Sequence, residues 1–314
     1  IQLRRSLGTV LHFVPLAAGL SLLVRAATVG IEQSIATYAL ILCALTALLG
    51  AGLWVYAADE LSGRPFWILG TASFATASAI VGKPEACLSW GAASIFVGGF
   101  LSFYSLRHPR IRYLAVLGFL SLSALPFTPN WAGILFYTNL GENLSGWQST
   151  FFYITFIVAH SLLLAGFLRH AMRSSVLSGD NVRDPQVERW IWLVYPIGLV
   201  VLPITHIIVG LWSLPDYKNL PISTYFYGLA ASVLCISFLY VNRSLQSSTI
   251  AIPALSSRQI PSKYLSFTWL YQPIWYFYNR IQRLSRLVNS LLEGDGGILW
   301  AIVLFFFILV FMKR

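Results

Sequence analysis

Charged residues are scarce in this chain. Only 10% of its 314 residues are Asp, Glu, Lys or Arg, whereas 57% are hydrophobic. Soluble globular domains carry about 25% charged residues, so the composition excludes a soluble domain. Apolar runs near the roughly 20 residues that a bilayer requires recur from one end of the chain to the other. The sequence therefore predicts an all-α, polytopic membrane helix bundle.

Cysteine clusters and the common catalytic motifs are also missing. Cys43, Cys87 and Cys235 lie far apart in apolar runs, which predicts buried free thiols. The chain has no P-loop, no CxxCH haem motif, no HExxH zinc motif and no GxSxG nucleophile motif. We therefore predict no enzyme active site, no metal site and no cofactor, with lipid as the expected bound molecule. A quinone or pigment pocket built on single side chains leaves no motif, so that alternative stays open.

Nine segments are candidate transmembrane spans. They are residues 7–24, 35–57, 66–82, 87–106, 113–139, 147–168, 190–212, 224–241 and 298–312. The segment 66–82 is short and rich in small residues, which let helices approach closely in lipid, so we expect it inside the bundle. Residues 1–265 are predicted to form the transmembrane helix bundle, and residues 266–314 an interfacial helix followed by the last transmembrane anchor.

Basic residues follow the predicted topology. Sixteen of the 21 Lys and Arg residues fall in alternate loops counted from the N-terminus. Basic loops stay on the cytoplasmic side, which predicts a cytoplasmic N-terminus and an outside C-terminus. Topology thus accounts for the net charge of +10, and nucleic acid is not an expected partner. We expect a multi-pass protein of a bacterial inner membrane, and the initial Ile1 predicts a processed or incomplete chain.

The fifth candidate span contains two prolines that predict a broken helix. Pro126 and Pro129 are followed at once by Asn130 and Trp131. Proline removes a backbone donor and clashes with the preceding turn. Freed backbone groups in a bilayer must bond to protein or to water in a cavity. Broken helices form substrate sites in some transporters, although a structural kink is the commoner explanation.

Histidine is the only titratable residue type available for proton transfer within the confident spans. His160 and His206 fall well inside their predicted helices, and Thr205 precedes His206. Intramembrane ionisable residues are candidates for an ion pathway, together with Pro126, Pro129 and Asn130 of the break. The alternative is that each His donates a hydrogen bond to a carbonyl of a neighbouring helix.

The C-terminal segment 274–292 has the pattern of an amphipathic helix. Arg280, Arg283 and Arg286 fall on one face and apolar residues on another, with Trp275 near the start. This pattern predicts a helix in the membrane interface, where the arginines and Trp275 bind anionic lipid or a partner.

Four stretches carry a resemblance to a known family. One is the span that ends in Leu168-Arg169-His170, which looks like the helix that follows the family's proline motif and ends in a basic residue. Residues 120–136, with the heptapeptide Leu-Pro-Phe-Thr-Pro-Asn-Trp at 125–131, resemble the proline motif of antiporter-like subunits. These are the proton-conducting membrane-arm subunits of complex I and of Mrp-type antiporters. Residues 44–74 are similar to the family stretch that joins two helices through Asp and Lys, with Asp59, Arg64, Thr71 and Ser73 at the matching positions. Residues 293–300, EGDGGILW, resemble the tail of diverged members.

The resemblance implies an all-helical subunit of an ion-translocating membrane complex. The family carries protons along buried lysines, histidines and a glutamate, but no confident span here contains Lys, Asp or Glu. We therefore expect a shortened, non-pumping accessory subunit that contacts other integral membrane subunits. One alternative is a proton-coupled secondary transporter that uses the broken helix. Another is an accessory subunit that holds pigment, quinone or lipid in a photosynthetic or respiratory complex.

Overall fold

A computed structural model describes residues 2–30, 32–103, 113–140, 146–172, 185–213, 222 and 224–247. Its described part is helical and contains no strand. The helices are α1 (Gln2–Val29), α2 (Gln33–Tyr56), α3 (Arg64–Ile80), α4 (Pro84–Phe103), α5 (Tyr113–Leu122), α6 (Leu135–Leu140), α7 (Gly146–Ala171), α8 (Pro185–Trp212) and α9 (Thr224–Ser247). All of them belong to the compact unit Ile1–Ala251.

These helices fit a membrane protein. Four described segments are long and apolar enough to cross a membrane: Ile35–Tyr56, Pro84–Phe103, Gly146–Ala171 and Thr224–Val241. Two shorter apolar segments are Phe13–Val29 and Leu199–Trp212. The first eight predicted spans each coincide with one helix, or with the α5 and α6 pair, so the helical fold class is confirmed. The count of about nine transmembrane helices stays a prediction.

The predicted C-terminal elements lie outside the described residues. They are the interfacial helix with Trp275, Arg280, Arg283 and Arg286, the anchor 298–312, and the boundary between 265 and 266. The proposed roles of these residues therefore stay predictions.

Helix α4 lies at the centre of the bundle and α9 at its margin. Within the apolar window of α4, 78% of the residues are buried, against 28% for that of α9. Helix α4 packs against α1, α3 and α8. A residue that reaches α4 is therefore shielded from lipid by neighbouring helices.

Helix α3 lies inside the bundle, as its small residues predict. Gly50 of α2 meets Gly70 of α3 so closely that a Cβ atom on Gly50 would lie 2.6 Å from the Gly70 nitrogen. Hydroxyl pairs join the same layer of helices. Thr46 and Ser73 link α2 to α3 at 2.8 Å, and Thr71 donates to the Ser94 hydroxyl of α4 at 2.6 Å. Small and hydroxyl residues thus let these helices approach closely, alongside the ring contacts of Trp54 with Trp67 and of Phe74 with Trp90.

Candidate functional site at the helix break

The predicted break is present between α5 and α6. Helix α5 ends at Leu122, residues 123–130 are not α-helical, and a 3-10 turn at Trp131–Ile134 leads into α6. Ala124 and Phe127 have φ angles of 52° and 63°, in the left-handed region that residues with a side chain rarely occupy. The backbone therefore leaves the helical conformation over these eight residues.

Pro126 explains why the carbonyl of Leu122 needs a new partner. In a continuous helix this oxygen would accept a bond from the N–H of residue 126, which proline does not have. His160 of α7 donates to it from Nε2 at 3.0 Å, and Asn130 donates from Nδ2 at 3.4 Å. Because a carbonyl only accepts, the Nε2 atom of His160 carries the proton in this bond. Two side chains thus replace the lost backbone donor.

Pro129 frees the carbonyl of Leu125 in the same way. This oxygen accepts from the backbone N–H of Thr128 at 3.1 Å and from its hydroxyl at 2.7 Å. The second freed carbonyl is therefore satisfied locally, within the turn itself.

Two side chains of helix α4 bond to the C-terminal part of the break, at Asn130 and Gly133. The Ser89 hydroxyl donates to Asn130 Oδ1 at 2.7 Å, and the Trp90 indole donates to the Gly133 carbonyl at 3.1 Å. Asn130 is fully buried and is bonded through both atoms of its amide. A Cβ atom at Gly133 would lie 2.9 Å from the Trp90 indole nitrogen, so only glycine fits there.

Two more glycines let α8 and α9 contact the break directly. A Cβ atom at Gly228 of α9 would lie 2.5 Å from the Ala124 carbonyl oxygen. A Cβ atom at Gly210 of α8 would collide with the backbone of Pro129. The break is thus packed between α4, α7, α8 and α9.

The two candidate histidines have different surroundings. His160 is fully buried, its ring lies 4.9 Å from that of Trp90 and 6.0 Å from that of Phe74, and its Nδ1 atom has no hydrogen-bond partner in the described part of the chain. His206 is buried beside Phe96, and neither of its ring nitrogens bonds to a described residue. No hydrogen bond or ring contact joins the two histidines.

The prediction that each His bonds to a neighbouring carbonyl therefore holds for His160 only. Thr205 is half-buried and donates to the Val201 carbonyl of its own helix at 2.8 Å. The structure thus groups Pro126, Pro129, Asn130 and His160 in one cluster, and gives His206 and Thr205 other contacts.

A second polar cluster joins the ends of α2 and α7. Arg169 donates from Nη1 to the Val55 carbonyl and, at 3.0 Å, to the Ala57 carbonyl. His170 donates to the Trp54 carbonyl at 2.9 Å. These bonds satisfy carbonyls that the end of α2 leaves without helical partners.

Sequence reasoning missed two buried charged residues beside this cluster. Glu60 and Arg64 are buried and line a narrow crevice with Trp54 and Trp67. Both residues lie in or next to a loop by sequence, where charged residues are normally solvated, so composition gave no signal of burial. Ser89 and Trp90 were missed for a different reason, because their partners are some 40 positions away in the chain.

Cys43, Cys87 and Cys235 are free and buried, as predicted. Among the described residues, no group of three or more His, Cys, Asp or Glu side chains is arranged to hold a metal ion.

The sequence matches no protein-family model, and no curated protein matches it.

Proposed function

We propose that this protein is an integral membrane, antiporter-like subunit with a structural role in a larger ion-translocating or electron-transfer complex. It is an accessory member that does not pump, and it contacts other integral membrane subunits and lipid in a bacterial inner membrane. The observation that carries the proposal is the hydrogen bond from His160 to the Leu122 carbonyl, because the most buried candidate for proton transfer is engaged in holding the backbone.

The other polar groups of the break support the same role. The Asn130 amide bonds to Ser89 and to Leu122, and the Thr128 hydroxyl bonds to Leu125. A proton or ion moving through this cluster would have to break bonds that compensate for the two prolines, and a buried carbonyl without a donor is costly. The cluster is therefore suited to fixing a shape.

A transport role has one observation in its favour. His206 is buried without a hydrogen-bond partner among the described residues, and His160 has one ring nitrogen in the same state. Buried histidines with unused nitrogens occur in proton relays. The second candidate function is accordingly a proton-coupled transporter.

Paired substitutions of His160 separate these two functions. The amide of His160→Gln can still donate to the Leu122 carbonyl, whereas His160→Leu cannot. We expect His160→Leu to lower the stability of the folded protein by about 1–3 kcal/mol, and His160→Gln to lower it less. Stability is measured as thermal unfolding in detergent.

Ion transport by the assembled complex is the deciding measurement for His160→Gln and for the corresponding variant His206→Gln. We expect His160→Gln and His206→Gln to leave transport nearly unchanged, because neither side chain carries the ion. A large loss of transport in either variant, with assembly intact, would refute the structural role and favour the transporter.

A further inference from the structure

The non-helical residues of the break form two consecutive β-turns. The backbone N–H of Thr128 donates to the Leu125 carbonyl at 3.1 Å, and that of Trp131 donates to the Thr128 carbonyl at 3.0 Å. Each turn has a proline at its second position, Pro126 or Pro129, where the fixed φ angle of proline fits. The break is therefore a defined structure with its own backbone hydrogen bonds.

The two turns differ at their third positions. Asn130 has a φ angle of −93° and a ψ angle of 17°, as a type I turn requires. Phe127 has a φ angle of 63°, as a type II turn with proline at its second position requires. Glycine or asparagine is the usual residue there, because a bulky side chain is unfavourable at positive φ. The conformation of Phe127 thus has a cost that glycine would avoid.

Packing within the chain offsets little of this cost. Phe127 is 79% exposed, and it is the only exposed residue among 123–130. Its ring lies 4.9 Å from that of Trp131, which is buried. Tyr38 of α2 and Tyr240 of α9 are as exposed as Phe127, but neither has a positive φ angle. Strain combined with exposure distinguishes Phe127 from these residues, and such outliers often mark functional positions.

The contacts of the two turns fix the point at which the Phe127 side chain leaves the surface. The Thr128 hydroxyl closes the first turn with a further bond of 2.7 Å to a backbone carbonyl. Asn130 in the second turn is buried and bonded through both atoms of its amide. The backbone of Pro129 packs against Gly210 of α8. The side chain is therefore presented from a rigid support.

A pocket on another protein rewards this rigid presentation, whereas lipid does not. Acyl chains adapt to a ring in any orientation, so an unstrained helix residue would serve a lipid contact equally well. A protein pocket accepts one orientation, and a side chain that is already held there loses less conformational entropy on binding. Aromatic residues are also enriched in the buried centres of protein interfaces.

From these observations we propose that Phe127 is an anchor residue that inserts into an apolar pocket of a neighbouring integral membrane subunit. This contact rests on the proposed accessory role, because it requires such a neighbour. It adds the position on the surface at which that neighbour is held.

Two variants of Phe127 separate the ring from the backbone strain. Phe127→Gly removes both, whereas Phe127→Ala removes the ring and keeps a side chain at positive φ. For the full chain purified in detergent, we expect Phe127→Gly to unfold at the wild-type temperature or a few degrees above it, and Phe127→Ala to unfold below Phe127→Gly. A Phe127→Gly protein that unfolds well below the wild type would show that the ring is packed in its own chain, and would overturn the proposal.

Co-purification from the native membrane measures the contact itself. We expect both variants to retain the neighbouring subunits several-fold less than the wild type does, as quantified by mass spectrometry. The matched control is Tyr240→Ala, which removes a ring that is 75% exposed on α9 and should leave retention unchanged. An equal loss in this control would show that any exposed ring has the same effect, and would overturn the proposal.

Retention also separates this proposal from the accessory role. Wild-type retention in Phe127→Gly would overturn the anchor role and leave the accessory role standing. A wild-type protein that arrives without neighbours would refute both.

A photoreactive p-benzoylphenylalanine incorporated at position 127 identifies what covers the ring. We expect a covalent adduct with one of the subunits that co-purify with the wild type. Adducts with phospholipid alone would show that lipid covers Phe127, and would overturn the proposal.

Discussion

Pro126 shows how one residue determines the roles of several others. Its missing N–H leaves the Leu122 carbonyl without a helical partner, and His160 and Asn130 supply replacement donors from 38 and 8 positions away in the sequence. A buried carbonyl without a donor costs about 1–3 kcal/mol, so this exchange is necessary for the break to be stable. The residues around the break are therefore explained by backbone chemistry before any ion is considered.

At the scale of single residues, we expect that Ala124 can be replaced by glycine with little loss of folding stability. Its φ angle of 52° costs an L-residue about 1–2 kcal/mol, which glycine avoids. Loss of the buried methyl group costs about 0.8 kcal/mol, so Ala124→Gly is expected to leave stability unchanged or slightly raised. Thermal unfolding in detergent checks this expectation.

Ala115 provides the matched control for Ala124. It is equally buried but lies inside α5, where glycine costs about 1 kcal/mol in helix propensity in addition to the lost methyl group. We expect Ala115→Gly to be about 2 kcal/mol less stable than Ala124→Gly. Equal losses in the two variants would contradict the left-handed conformation of Ala124.

At the scale of helices, the crossing of α2 and α3 depends on Gly50. A Cβ atom there would lie 2.6 Å from the nitrogen and 2.9 Å from the Cα of Gly70, and backbone atoms cannot rotate away. Overpacking of this kind costs about 1–3 kcal/mol, and it would also separate helices joined by the Thr46 and Ser73 hydroxyls. We therefore expect Gly50→Ala to lower the thermal midpoint.

Gly52, two positions along the same helix, is the control for Gly50. A Cβ atom there would have no neighbour within 4 Å, and alanine favours a helix over glycine by about 1 kcal/mol. We expect Gly52→Ala to be neutral or stabilising. A Gly50→Ala variant as stable as Gly52→Ala would show that the two helices are not in close contact.

The helices were predictable from the sequence, whereas the contacts among them were not. Long apolar runs predict α2, α4, α7 and α9, and two prolines predict the break. The roles of Ser89 and Trp90 depend on residues more than 40 positions away, and no periodicity encodes that pairing. The close approach of Gly210 and Gly228 to the break is likewise set by how α8 and α9 pack.

The charged residues show a second limit of sequence reasoning. Glu60 and Arg64 lie at the junction of α2 and α3, where a charged residue is expected to be solvated, yet both are buried. They line a crevice with Gly98, Leu101 and Ser102 of α4, a helix that comes later in the chain. Such an arrangement exists only in the assembled bundle.

At the scale of the whole molecule, several buried polar groups of the described residues bond between helices. Thr71 pairs with Ser94, Asn130 with Ser89, and His160 with the Leu122 carbonyl. Hydrogen bonds between helices fix their relative positions where lipid provides no hydrophobic drive to associate. A rigid bundle of this kind suits a subunit that supports its neighbours.

Purification of the full chain from its native membrane in a mild detergent, followed by mass spectrometry of what accompanies it, tests the accessory role most directly. The account predicts that other integral membrane subunits of a redox or antiporter complex co-purify in fixed proportion. Recovery of the protein alone, with proton transport when it is reconstituted alone into vesicles, would contradict the account.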